Sequence, residues 1–197
     1  MPTVSKTTVY GDVENIASGM IPRIYNHSYA IEAELTIPDG GAEGVIVAEA
    51  DEMGGFALWV DGDGLLHHSY STMAVDQYKQ VATEPLPTGD VTVRMQFDAD
   101  APKPGTGGTV TLWAGERKIG EGRMDRTVSL RFSFYAGMDI GRDNGMTVDP
   151  AYRDRAPYAF TGTVKKVVFD LKPVAHDHEK TLHAHTAVEN LAYGAAG

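Results

Sequence analysis

The sequence predicts an all-β protein folded as a two-sheet jelly-roll sandwich. Three observations carry this. Successive short runs alternate apolar and polar residues with period two. Turn-forming residues separate the runs. Glycine is abundant, at 22 residues, with 10 prolines, as a chain of many tight turns requires.

The runs read in order as follows. In residues 29–37, Tyr29, Ile31, Ala33, Leu35 and Ile37 share one face and Glu32, Glu34 and Thr36 the other, before Pro38-Asp39-Gly40-Gly41 stops the strand. Residues 44–48 are nearly all apolar, which predicts a strand buried on both faces. Residues 56–60 and 65–70 flank Asp61-Gly62-Asp63-Gly64, a hairpin signal. Val91, Val93, Met95 and Phe97 alternate with Thr92, Arg94 and Gln96. Residues 109–114 and 118–124 form a second hairpin around Gly115-Glu116. Residues 128–135 continue the pattern as a further strand, and 160–171 are the last, with a bulge expected near Val167-Val168. The count is roughly ten to twelve strands, with two long loops at 98–108 and 137–159.

The expected organisation is an N-terminal extension (1–23) with one weak strand at 7–10, a sandwich domain (24–172) and a C-terminal tail (173–197). The tail is expected to form a short helix packed through Leu182, Val188 and Leu191.

Composition narrows the function. A chain of 197 residues can withdraw ~70% of its unfolded surface from water in one core. The net charge of −10 argues against nucleic acid and against anionic membranes, since both are bound through clustered Lys and Arg. There is no cysteine, which excludes disulfides, thiolate metal sites and a cysteine nucleophile. No apolar signal segment follows the amino terminus and no run approaches a membrane span. The expectation is a soluble protein, in a compartment left open but leaning to the cytoplasm.

Searches for chemistry return little. Ser18-Gly19 is no nucleophile elbow, because Ile16 stands where that turn needs glycine. Gly105-Thr106-Gly107-Gly108 lacks the Lys-Ser/Thr and the helix of a phosphate loop. Asp61-Gly62-Asp63-Gly64 fails as a calcium loop, since Leu65 occupies a ligand position. Glu32 and Glu34 share a face but follow the solvated phase of their strand. His67 and His68 point to opposite faces of theirs. No catalytic residue and no cofactor of this chain is therefore expected.

Three sets of residues remain as candidates. Asp139, Asp143 and Asn144, in the glycine-rich run 137–145, are candidate ligands for a cation such as calcium. The alternative is that their side chains cap the loop's own backbone. His178 and His185, seven apart in the tail, can share a helical face as a metal pair. Trp59, Tyr70, Tyr78 and Tyr135 are available to line a sugar-binding face, with core packing the expected role of most, and Arg142 joins the possible ligand or partner surface.

Several motifs carry a family resemblance. Asn26-His27-Ser28-Tyr29-Ala30-Ile31-Glu32-Ala33-Glu34-Leu35-Thr36-Ile37-Pro38 leads into Gly40-Gly41-Ala42-Glu43-Gly44-Val45-Ile46-Val47-Ala48. Then come Gly54-Gly55-Phe56-Ala57-Leu58-Trp59-Val60, Glu84-Pro85-Leu86-Pro87-Thr88-Gly89, Gly107-Gly108-Thr109-Val110-Thr111-Leu112 and Lys118-Ile119-Gly120-Glu121-Gly122-Arg123. Asp139-Ile140-Gly141-Arg142-Asp143-Asn144-Gly145 and Phe160-Thr161-Gly162-Thr163-Val164 complete the series. The series resembles the C-terminal region of bacterial arylsulfatases over residues 24–172. That resemblance implies a concanavalin- or laminin-G-like sandwich beside a sulfuric-ester hydrolase domain. The family's formylglycine motif is absent here, so this chain alone is expected to be inactive.

Three roles are open at this level. One is an accessory domain that braces or borders a sulfatase catalytic domain. Another is a stand-alone module binding carbohydrate or protein. The third is a structural subunit that pairs with itself or with another chain through an exposed apolar face.

Overall fold

The computed structural model describes residues 5–172 apart from 18, 19, 21 and 26. Eleven strands form two antiparallel sheets. They are β1 (Lys6–Tyr10), β2 (Tyr29–Ile37), β3 (Gly44–Asp51), β4 (Gly54–Val60), β5 (Leu65–Thr72), β6 (Asp76–Pro85), β7 (Gly89–Ala99), β8 (Gly108–Ala114), β9 (Arg117–Met124), β10 (Met138–Ile140) and β11 (Thr163–Leu171). The six-stranded sheet runs β1-β11-β2-β7-β8-β9 and the five-stranded sheet β10-β3-β4-β5-β6. This is the all-β jelly-roll sandwich that the alternation predicts.

Alternation sets the core. All the odd residues of β2 from Tyr29 to Ile37 are buried and the even ones half-exposed. Phe56, Leu58 and Val60 of β4 and Leu66 and Tyr70 of β5 join Ile31, Leu35, Met95, Phe97, Leu112 and Phe169 between the sheets. A second, smaller cluster lies on the outer face of the five-stranded sheet. There Val45, Ala48, Ala57 and Trp59 are covered by Val148, Tyr152 and Tyr158 from the β10–β11 connection. β3 and β4 are thus buried on both faces, as the apolar run at 44–48 predicts.

Two expectations need correction, the strand at 128–135 and the position of the bulge in the last strand. Residues 128–135 form no strand. β9 lies at the edge of its sheet beside β6, whereas β10 lies at the far edge of the five-stranded sheet. The connection must therefore cross the mouth of the sandwich, about 19 Å of travel across four strand spacings, and a chain running across the strands has no ladder to join. β6 fills an interval where alternation is not evident, because its edge position leaves most of its residues half-exposed or exposed. The register shift in β11 falls between Val164 and Lys166, not at Val167-Val168. The N-terminal region supplies β1, an edge strand paired with β11, and Ile16 bridges to Met138. The helix expected in the tail lies outside the described residues, as do His178 and His185.

A candidate binding cleft at the mouth of the sandwich

The crossing segment, residues 125–137, is fixed at several points. Val128 N donates to the Tyr70 hydroxyl (3.0 Å) and Thr127 Oγ1 to the Thr106 carbonyl (2.9 Å). Ser133 donates twice, from N to Gly54 O (2.8 Å) and from Oγ to Asp51 Oδ2 (2.6 Å). Phe132 is buried and packs against Tyr25, Phe56 and Tyr70. With these anchors inside, the residues between them point outward. Leu130 is 57% exposed, Phe134 62% and Tyr135 76%.

Phe134 and Tyr135 stack on each other, with ring centroids 5.2 Å apart. The Arg131 guanidinium lies 4.6 Å from the Phe134 ring centre. The segment and the β3–β4 and β5–β6 turns enclose an open groove of 840 Å³, with Met53, Met73, Val75 and Leu130 on its apolar walls. Among the described residues, its charged lining residues are Arg126 and Arg131. Arg126 pairs with Asp76, whereas Arg131 forms no ion pair among the described residues. Beyond Tyr135 lies a second hollow of 520 Å³, lined by Glu14, Asn15, Asp139, Asn144 and Met146. Tyr135 lines both.

The residues considered from sequence as cation ligands hydrogen-bond within the loop and to the segments beside it. Asp139 accepts from Asn15 N (2.6 Å) and Asn144 N (2.9 Å). Asp143 is 1% exposed and accepts from Val148 N (3.1 Å) and the Tyr152 hydroxyl (2.6 Å). Burial pushes its carboxyl up to about 6, against these hydrogen bonds. Among the described residues no group of three His, Asp or Glu side chains is placed to hold a metal ion. The loop's carboxylates are spent on backbone amides, which is the self-capping alternative. Arg142 ties the loop to the N-terminal segment through Asp12 (2.6 Å) and Glu14 (2.7 Å).

Three of the four aromatics considered from sequence pack inside, the role expected of most of them. Trp59 faces outward but is covered, stacked on His67 at 4.1 Å and edge-on to Tyr152 at 5.1 Å. Its Nε1 donates to Ser69 Oγ (3.0 Å), which donates to Asp149 Oδ2 (2.6 Å). Tyr70 and Tyr78 sit opposite each other on β5 and β6 in the inward phase and pack in or against the core. Only Tyr135 of the four is presented to solvent.

Arg131 and Phe134 are the residues that alternation hid. A signal was present: Phe134 and Tyr135 are consecutive, and two adjacent aromatics cannot both obey a period of two.

Comparison with known proteins bears on the fold. No family model matches the chain, nor does any curated protein. Among solved structures, the chain is similar to the CBM40 of the Ruminococcus gnavus IT-sialidase bound to α2,3-sialyllactose. The TM-score is 0.54 at 12% identity, over 88% of this chain and 92% of that one. The same CBM40 bound to α2,6-sialyllactose gives 0.54 and 11%, over 87% and 95%. The leech intramolecular trans-sialidase complexed with 2,7-anhydro-Neu5Ac gives 0.51 and 10%, over 88% of this chain but 26% of that enzyme.

The arylsulfatase resemblance is thereby corrected, and a sulfatase catalytic domain as partner falls with it. The physical reason lies in the motif glycines. A Cβ on Gly44, which has φ +113°, would lie 2.4 Å from Ala159 O. On Gly55 it would lie 2.3 Å from Glu49 O, and on Gly107 2.5 Å from Asp125 O. These positions report close backbone approaches demanded by the sandwich, whatever the fold is attached to.

Proposed function

We propose that this chain is a carbohydrate-binding β-sandwich module whose site is the cleft at the sandwich mouth. The observation that carries the reading is the exposed, stacked Phe134–Tyr135 pair on the rim of a groove. A pyranose presents a face of C–H bonds, and an aromatic face held open to water offers it apolar contact without a hydroxyl to desolvate. The pair is mounted on a segment anchored at both ends, so little ordering cost is left to binding. The similar CBM40 structures, which hold sialyllactose, support a sugar ligand at the level of fold. No described helix is long and apolar enough to cross a membrane.

The test is a glycan array followed by calorimetric titration of each hit. Saturable binding is expected, with a loss of at least tenfold in F134A/Y135A. Both side chains are exposed, so the melting temperature of the variant should stay within a few degrees of the parent. Failure of every glycan to bind, or binding indifferent to the double variant, sinks the reading. A second reading rests on the same surface: Met53, Met73 and Val75, which are 48%, 73% and 75% exposed, also suit a protein partner.

A further inference from the structure

The two hollows of the cleft differ in charge. The groove on one side of Tyr135 is lined by Arg126, which is paired with Asp76, and by Arg131, and among the described residues by no carboxylate. The hollow on the other side is lined by Glu14 and Asp139, with Asn15 and Asn144, and among the described residues by no cation, although Arg142 reaches Glu14 from outside the lining. This segregation occurs in a chain of net charge −10, where an arginine without an acid partner is against the trend of the surface. Arg131 is held over Phe134 rather than drawn to a carboxylate. A planar guanidinium can fork two N–H donors onto a carboxylate or sulfate while the neighbouring exposed Tyr135 ring takes the sugar's C–H face. The second hollow is suited to the opposite chemistry. The Asn144 side-chain amide, half-exposed beside the buried Asp139, is a carboxamide of the kind that exchanges hydrogen bonds with neutral hydroxyls. An anionic sugar there would meet the exposed Glu14 carboxylate.

We propose that the cleft binds an extended acidic oligosaccharide in one orientation, its anionic residue in the Arg131 groove and a neutral residue in the Asp139–Asn144 hollow. The proposal rests on the carbohydrate reading of the same site and adds ligand charge, length and direction to it. Each hollow lies within the ~300–1,000 Å³ of small-molecule sites, and Tyr135 is the wall they share, so one ligand spans both across that ring.

The test uses the full chain and calorimetric titration. Two acidic series are compared with neutral galactan oligosaccharides of the same length: mixed galactose–galacturonate oligosaccharides for the carboxylate, and galactan oligosaccharides sulfated on one terminal residue for the sulfate. At least one acidic series should bind tenfold or more tightly than its neutral match, and the advantage should shrink as salt rises from 0.05 to 0.5 M, as an exposed charge contact does. R131Q should erase the advantage, whereas R123Q, at an exposed arginine paired with Asp100 outside the groove, should keep it. N144A should weaken a trisaccharide several-fold and leave the acidic monosaccharide where it was. Equal binding of acidic and neutral ligands, with loss of both in F134A/Y135A, overturns this proposal and leaves the carbohydrate reading in place. No binding of any saccharide overturns both. Sedimentation at the titration concentrations covers the remaining occupant: a dimer of this chain that F134A/Y135A dissociates overturns the proposal in favour of self-association.

Discussion

Glu49 is the residue whose environment departs furthest from its chemistry. It sits opposite Phe56 and Met138, both core residues, so its carboxyl enters between the sheets. It is 3% exposed, and Oε2 has no hydrogen-bond partner. Burial pushes its carboxyl up to about 8. The neighbouring hydroxyls of Tyr25 and Tyr70 are pushed to about 12 and beyond, chiefly by the same burial. Glu49 and Asp143, raised to about 6, hold their protons more tightly folded than unfolded. The stability they contribute is complete below the ordinary carboxylate range and is lost as pH rises through 6 and then 8. His68 has the opposite sign. Burial pushes it down to about 4, so its contribution is complete above 6.5 and is lost as pH falls toward 4. Above pH 6.5 the Glu49 effect therefore stands out. The melting temperature should fall between pH 6.5 and 8.5 in the parent and stay nearly level in E49Q, a difference of a few kcal/mol at ~1.4 kcal/mol per pH unit. Parallel profiles for the two proteins would contradict this burial account.

At the scale of an element, the connection from β10 to β11 acts as a lid on the five-stranded sheet. Tyr152 and Tyr158 bring apolar cover to Trp59. Asp149 pins the lid, accepting from Ser69 Oγ (2.6 Å), Lys79 Nζ (2.6 Å) and Ala151 N (2.8 Å). Its carboxyl is lowered by those hydrogen bonds despite the opposing effect of burial. D149A strands the buried Ser69 hydroxyl and frees the start of the 3₁₀ turn Pro150–Arg155, whose N-cap Asp149 is. The expected cost is roughly 2–4 kcal/mol, read by urea denaturation, with tryptophan emission shifted to the red as Trp59 meets water. Unchanged emission would mean that apolar contact alone holds the lid.

Across the whole molecule, the two sheets close on each other along one edge. β6 and β9 belong to different sheets yet meet. Gly120 makes the approach possible, since a Cβ there would lie 2.9 Å from Val81 O and 3.4 Å from the Ala82 Cα. G120V should wedge this edge open at a cost of about 2–3 kcal/mol, seen as a lower urea midpoint. An unaltered midpoint would show the edge to be slack. The closed edge also fixes where β9 ends, and so obliges the segment 125–137 to cross the mouth and carry Arg131, Phe134 and Tyr135 with it.

The sequence by itself determined the sandwich. Burial on a pleated strand has period two, so β2 and β7 are legible as written, and the hairpins at Asp61–Gly64 and Gly115-Glu116 follow from their turn residues. It also held the choice between capping and cation binding for Asp139, Asp143 and Asn144, because short polar side chains in a glycine-rich loop suit both. The folded structure shows the hydrogen bonds these side chains make within the loop and to the segment beside it. Trp59, Tyr70 and Tyr78 are removed from the surface by a lid and by strand phase, and neither can be read from spacing alone. Residues 128–135 alternate like a strand but are denied one, because the strand order sends them across the sheets. Alternation records which residues can share a face. Which face remains open to a ligand depends on what the rest of the chain is folded across it.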